Sequence, residues 1–239
     1  MKIEFLFPEL CTVYGDAGNA LYLKKSVKDA EIIETKLGAT PAFVNEKVDL
    51  IYIGSMTEGN QIFAINALRP YLQKIREVIE SGVVFLATGN AYEIFGEYIA
   101  EDDERVEALG IFPLYSQRSS EYFRHNSMVL GDFEDMEIVG CRSQFAYIYS
   151  KCETPFLKIK GGIGNNPDDK CEGVRYKNFF GTYVLGPLLP LNPEFTKYLL
   201  SLAGYEGELA FEKEAFDAYN LRLEKLKQDG VNFILGEHW

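Results

Sequence analysis

Val83-Val84-Phe85-Leu86-Ala87, followed by Thr88-Gly89-Asn90 and then Ala91-Tyr92, decides the architecture. The first five residues are apolar without alternation and begin with two β-branched valines. A strand with no polar face is covered on both sides, which is the situation of a central strand in a parallel sheet. Thr88-Gly89-Asn90 then turns the chain sharply, and Ala91 to Tyr98 reads as a helix. In open α/β sheets a strand, turn and helix of this kind places the turn at the carboxyl edge, where ligands are held.

The flanking sequence repeats the theme. Asp49-Leu50-Ile51-Tyr52-Ile53-Gly54 is a second buried strand ending in a glycine turn. Residues 58–69 and 70–81 read as two helices, with Pro70 in a first turn and Gly82 as the stop. Lys2 to Phe7 reads as the first strand. In the loop Tyr14 to Asn19, Asp16 or Asn19 is placed to cap the next helix. Apolar residues at helical spacing from Ala20 to Leu37 predict one helix closed by Gly38, and Ala42 to Val44 predicts a short strand. Beyond the turn, the runs Ile111–Tyr115, Ser127–Leu130, Glu137–Val139, Phe145–Tyr149 and Phe156–Ile159 predict antiparallel strands. Phe179 to Val184 is a further buried strand, and Pro193 to Leu202 and Glu212 to Gln228 read as closing helices. The expected fold is a flavodoxin-like three-layer α/β sandwich. It has a mostly parallel central sheet, a small antiparallel extension, and one domain over residues 1–239.

Composition narrows the function. A net charge of −12 repels phosphate backbones and anionic lipid, which argues against nucleic acid and membrane partners. No apolar run reaches the roughly 18 residues of a spanning helix, so a cytoplasmic protein is expected. Cys11, Cys141, Cys152 and Cys171 are widely spaced, with no CxxC pair, so neither a disulfide framework nor a metal site is expected. Gly161, Gly162, Gly164, Asn165 and Asn166 form a turn-rich loop without the GK[ST] ending of a phosphate loop. No cofactor is indicated. The two histidines are His125, in a polar stretch, and His238, next to the C-terminal Trp239.

Residues 164–187 read GNNPDDKCEGVRYKNFFGTYVLGP. They resemble the C-terminal block of class I glutamine amidotransferases of the cobyric acid synthase (CobB/CobQ-like) type, which runs GNN…EG…YKN..GTY.HGP. Within this family the block resembles that of the amidotransferase-like subunits of lipid II isoglutaminyl synthases. Pro8 to Asn19 resembles the opening strand and loop of that family. Asp49 to Ser55 resembles its strand before a Gly-Gly turn, with Gln61 at the expected distance. Thr88 to Gly96 resembles its nucleophile elbow.

The resemblance implies a glutaminase, which needs a thiolate at the elbow tip, a proton-shuttling histidine and N–H donors for the oxyanion. It places Gly89 at the nucleophile and Leu185 at the histidine, so neither group is present. Gly54 and Ser55 stand at the oxyanion turn. Asn90 reads as a helix cap or as an amide offered to a ligand. The resemblance therefore implies a vacated site lined by Gly54, Ser55, Gln61 and Asn90. Its ligand would be glutamine or a related small amide, and its partner a Mur-ligase-like synthetase. The alternative is an active subunit with relocated chemistry at Cys11 or Cys141.

Overall fold

The structure, a computed structural model, describes residues 1–118 and 124–235. Strand β1 (Lys2–Leu6) leads through α1 (Ala17–Ser26) to β2 (Glu31–Thr35), and α2 (Ala42–Asn45) leads to β3 (Leu50–Ile53). Helices α3 (Glu58–Leu68) and α4 (Leu72–Glu80) return the chain to β4 (Val84–Thr88). A long excursion follows through β5 (Tyr98–Glu101), β6 (Glu104–Glu107), β7 (Leu114–Arg118), β8 (His125–Phe133), β9 (Met136–Gln144), β10 (Ala146–Ser150), β11 (Leu157–Gly161) and β12 (Cys171–Glu172). Strands β13 (Val174–Tyr176) and β14 (Phe179–Thr182) bring the chain back, followed by α5 (Leu188–Leu191), α6 (Pro193–Leu202) and α7 (Glu212–Leu226).

The central sheet has the order β13-β14-β4-β3-β1-β2, with every neighbouring pair parallel except β13 and β14. From β2 to β14 this is the doubly wound flavodoxin-like order, in which the winding reverses between β1 and β3. Strands β3 and β4 are buried at every position. Alternate residues feed two cores. Ile51, Ile53 and Phe85 pack with Ile65, Leu68 and Ile79 on one face. Leu50, Leu86 and Phe5 pack with Leu23, Phe195 and Leu199 on the other. Each such side chain contributes about 1.5–3 kcal/mol on burial, which commits these unalternating strands to the centre. The antiparallel extension comprises two four-stranded sheets, ordered β10-β7-β5-β6 and β12-β11-β8-β9, with one parallel pairing between β5 and β7. Among the described residues no helix is long and apolar enough to cross a membrane.

Three local expectations are corrected. The helix expected over Ala20–Leu37 ends at Ser26, and Glu31–Thr35 pairs in parallel with β1 instead. The β-branched pair Ile32-Ile33 suits a strand, and Leu37 is exposed rather than packed on a helix face. Ala42–Asn45 is a helical turn, not a strand. The buried Glu4 carboxylate accepts the Ala42 and Phe43 N–H groups at 2.6 and 3.0 Å, and so caps this turn from β1. Finally, the elbow continues as a 3-10 helix, Gly89–Phe95, rather than an α-helix to Tyr98. Gly96 ends it, because the Glu97 N–H already pairs with Leu114 O at 2.7 Å on the way into β5.

Candidate functional site

The loops after β1, β3 and β4 meet at the carboxyl edge, where the winding reverses. Asp16 stands at the N-cap position of α1 but does not cap it. Its carboxylate accepts the Ser55 N–H at 2.7 Å, the Asn19 amide at 2.7 Å and the Thr88 hydroxyl. Tyr52 donates to Asp16 O at 3.1 Å and lies 3.1 Å from Thr88 Oγ1. Asn19 Oδ1 accepts the Leu189 N–H at 2.8 Å, which draws the segment after β14 to the same place. Burial raises the Asp16 carboxyl above its ordinary range, against the Thr88 and Ser55 hydrogen bonds that favour the anion.

Gly89 opens the 3-10 helix with a φ of +59°, the left-handed conformation that glycine tolerates. A Cβ added there would collide with Ser55 Oγ, lie 2.9 Å from Ser55 Cβ and meet Leu185 Cδ2 at 3.2 Å. The Ser55 hydroxyl thus fills the space a side chain at position 89 would take. It is buried and, among the described residues, makes no hydrogen bond of normal geometry. Leu185 is buried against the glycine, its backbone exchanging hydrogen bonds with Cys141 at 2.8 and 3.1 Å.

The turn after β3 gives away its donors. The Gly54 N–H points at Cys11 Sγ at 3.3 Å, Ser55 N–H at Asp16, and Met56 N–H at Asn90 Oδ1 at 3.0 Å. The Asn90 amide returns a bond to Met56 O at 2.8 Å. Gln61 faces away from the cavity, behind the elbow. It donates to Asn90 O at 2.6 Å and to Glu93 Oε2 at 3.2 Å, and accepts from Arg118. Glu93 is fully enclosed and also accepts from Arg118 at 2.8 Å, Ser116 at 3.0 Å and the Tyr183 hydroxyl. Gly54, Ser55, Gln61, Asn90, Gly89 and Leu185 are therefore brought to one edge. Of these, Ser55, Gly89, Asn90 and Leu185 line a cavity of about 180 Å³.

Arg118 and Arg124 also line that cavity. Arg124 lies over the rings of Phe145 at 4.5 Å and Tyr14 at 5.6 Å. Sequence reading missed both arginines, because they come from the antiparallel extension, far along the chain from the elbow. The available signal was a lone charge at the end of the alternating run Leu114–Arg118, whose burial alternates and leaves Arg118 inside.

The cysteines keep away from this cavity. Burial pushes the Cys11 thiol up to about 12, against the Gly54 N–H that favours the anion, so it is protonated at neutral pH. Cys141 is raised by burial and lies 3.7 Å from Leu185 O through its sulfur. Burial also raises Cys152 and Cys171. His125 packs against Tyr147 with ring centroids 4.5 Å apart and the rings tilted by 32°. His238 lies outside the described residues.

A family model for the CobB/CobQ-like glutamine amidotransferase domain matches residues 2–193. The chain is 30% identical over 220 residues to subunit GatD of the glutamine-hydrolysing lipid II isoglutaminyl synthase of Staphylococcus aureus, covering 91% of this chain and 90% of the relative. It is 26% identical over 208 residues to the corresponding subunit of Streptococcus pneumoniae, covering 85% and 80% of the two chains. A solved structure of PurLQS from Thermotoga maritima superposes with a TM-score of 0.55 at 15% identity, covering 93% of this chain and 98% of that one. This last likeness bears on the fold alone.

Proposed function

This chain belongs to the CobB/CobQ-like glutamine amidotransferase family, and from that premise we propose that it is a member without glutaminase activity. It acts in the cytoplasm, as one domain over residues 1–239, as the binding or regulatory partner of a Mur-ligase-like synthetase. Its cavity takes glutamine or a related small amide without forming a covalent bond. Ser55 and Asn90 line the place of that ligand, with Gly54 in the adjoining turn and Gln61 bracing the elbow from behind.

One observation carries this reading: Gly89 and Leu185 face each other, at the two positions where the family resemblance puts the thiolate and the imidazole. Glycine offers no nucleophile and leucine accepts no proton. The committed N–H groups of Gly54, Ser55 and Met56 support the same reading, since an oxyanion would find no free donor there. Both relatives are subunits of a glutamine-hydrolysing synthase, which supports the partner half of the proposal.

The test is a glutaminase assay on the purified chain, alone and with the synthetase chain of the same organism. The expected result is no ammonia above the buffer rate, and no cysteine labelled by a diazo-ketone glutamine analogue. Ammonia release that follows the chain through purification, or labelling of Cys11 or Cys141, overturns it. Retained binding is read separately, as a rise in melting temperature with added glutamine.

A further inference from the structure

One face of the β10-β7-β5-β6 sheet carries three tyrosines in a single row. Tyr98 pairs with Tyr115 across β5 and β7, and Tyr115 with Tyr149 across β7 and β10. Their rings stack at 4.8 and 5.1 Å, close to parallel at 12° and 18°. Arg105 of β6 closes the row, its guanidinium 3.7 Å from the Tyr98 ring centroid and 2.6 Å from the Glu107 carboxylate. On the same strands Ile99, Leu114 and Ile148 are buried in the core, so the two-residue period turns the tyrosine row outward. Tyr149 is 40% exposed. Both ring faces of Tyr98 and of Tyr115 are covered by their neighbours, so these two present edges and hydroxyl groups.

The hairpin joining β5 and β6 borders this row. Residues 97–107 hold six acidic side chains, Glu97, Glu101, Asp102, Asp103, Glu104 and Glu107, against Arg105 as their one base. All of them are exposed.

We propose that this face is the docking surface for a protein whose contacting surface is basic, and that this protein is the synthetase partner of the proposed function, on which reading the inference rests. Tyrosine and arginine are among the side chains enriched at the hot spots of interfaces, and tyrosine buries much area on only two side-chain torsions. Here the rotamers are already fixed by stacking, which lowers the ordering cost of binding. The excess of negative charge selects a lysine- and arginine-bearing partner and steers it in. A second copy of this chain is disfavoured, since a two-fold contact through this face sets the acidic hairpins of both copies side by side.

Size adds a constraint. Four strands about 4.8 Å apart and some five residues long give a face of about 15 by 15 Å. That is roughly a third of the 800 Å² one partner buries in an interface of ordinary size. The contact must then extend to the acidic hairpin on one side and towards the cavity on the other. Arg118, at the end of β7, and Phe145, just before β10, both line that cavity. Arg118 belongs to the buried face opposite the tyrosines, so a partner seated on the tyrosine row would approach the vacated site past Phe145, at the strand end.

The test titrates the full chain with the Mur-ligase-like synthetase chain of the same organism by calorimetry, at two salt concentrations. Tyr115→Ala is expected to weaken Kd at least tenfold. The paired charge reversal Asp103→Lys with Glu104→Lys, which touches no core residue, is expected to weaken it similarly and to flatten the salt dependence. Phe63→Ala on α3, an exposed apolar residue elsewhere, is expected to leave Kd unchanged. A complex indifferent to the first two changes, or weakened by Phe63→Ala instead, overturns this inference alone. So does a dimer of the chain by itself that Tyr115→Ala breaks. Absence of any complex overturns the partner reading and this inference with it. Should Tyr115→Ala not fold, the charge reversal decides.

Discussion

The two sides of the elbow differ in what their polar atoms have found. Behind it, Glu93 is enclosed and accepts from Gln61, Arg118, Ser116 and Tyr183, so every carboxylate oxygen is engaged. In front, the Ser55 hydroxyl is buried with no hydrogen-bond partner among the described residues, and Leu185 supplies only hydrocarbon. The bracing that holds the turn is complete, while the space in front of Gly89 is filled by the Ser55 side chain and the Leu185 hydrocarbon. The bracing is what a partner or ligand site needs from the scaffold, and the front is what a glutaminase needs in addition.

The contrast is broken most severely from behind. Arg118→Ala leaves the Glu93 charge enclosed without its cation. Removing one member of a buried pair costs about 3–5 kcal/mol, because the remaining charge is desolvated and uncompensated. Urea denaturation of the variant is expected to show a loss of that size. A loss below about 1 kcal/mol would mean that water reaches Glu93 and that the bracing is looser than its geometry suggests.

A third carboxylate sharpens the comparison through pH. Glu172 accepts the Thr182 hydroxyl at 2.8 Å and the Tyr183 N–H at 2.7 Å, which holds the end of β14 just before Leu185. Burial pushes its carboxyl up to about 7, against the opposing charge of Arg142. An unfolded Glu titrates near about 4.3. Between those values the folded chain keeps a proton that the unfolded chain has lost, so stability falls as pH rises through the window and levels off above it. At about 1.36 kcal/mol per pH unit, the total is about 4 kcal/mol. Denaturation midpoints at pH 5 and pH 8 are expected to differ more for the native chain than for Glu172→Gln. Equal differences would show that the carboxyl titrates normally.

How much of this was legible beforehand depends on where the determining atoms lie. Val84–Thr88 and Leu50–Ile53 were legible because local burial on both faces writes itself into an unbroken apolar run. Gly89 and Leu185 were legible because the motif around each is dense enough to fix their positions. The segment Ala20–Leu37 was misread because an apolar spacing of three and four also fits a helix followed by a strand, and the pairing of Glu31–Thr35 with β1 is tertiary. Ala42–Asn45 was misread for the same kind of reason, its cap being supplied by Glu4 from a distant strand. Arg118 and Arg124 reach the cavity from the antiparallel extension, and nothing local to either residue records that. The capture of the Gly54, Ser55 and Met56 donors depends on Cys11, Asp16 and Asn90 side-chain directions, which no spacing rule conveys.

On the front face the expected effect on stability is smaller. Gly89→Ala adds a Cβ in a left-handed conformation and against Ser55, for a cost of about 1–3 kcal/mol. Ser55→Gly removes the obstructing side chain and loses no hydrogen bond. Made together, the two changes are expected to recover at least half of that cost, leaving only the backbone penalty at position 89. Strict additivity in the double-mutant cycle would show that Ser55 does not occupy the space assigned to it.

The mildest effect is expected from rebuilding the front. Gly89→Cys with Ser55→Gly and Leu185→His supplies a thiol, room for it and a proton acceptor facing it. The left-handed turn and its bracing are already in place, so the new thiol is expected to react with a diazo-ketone glutamine analogue and the native chain is expected not to. Turnover is a different demand. The main-chain N–H at position 55 still points at Asp16, and that at Met56 still points at Asn90. Loss of one oxyanion donor alone slows acyl transfer by about 10²–10³. The triple variant is therefore expected to label stoichiometrically, as read by mass spectrometry, while releasing ammonia only marginally above background. Adding Asp16→Asn, which weakens the hold on the Ser55-position N–H, should raise that rate if the captured donors are the remaining obstacle. If the triple variant already turns over efficiently, the turn can release its donors on demand. The front of the elbow would then be separated from glutaminase chemistry by its side chains alone.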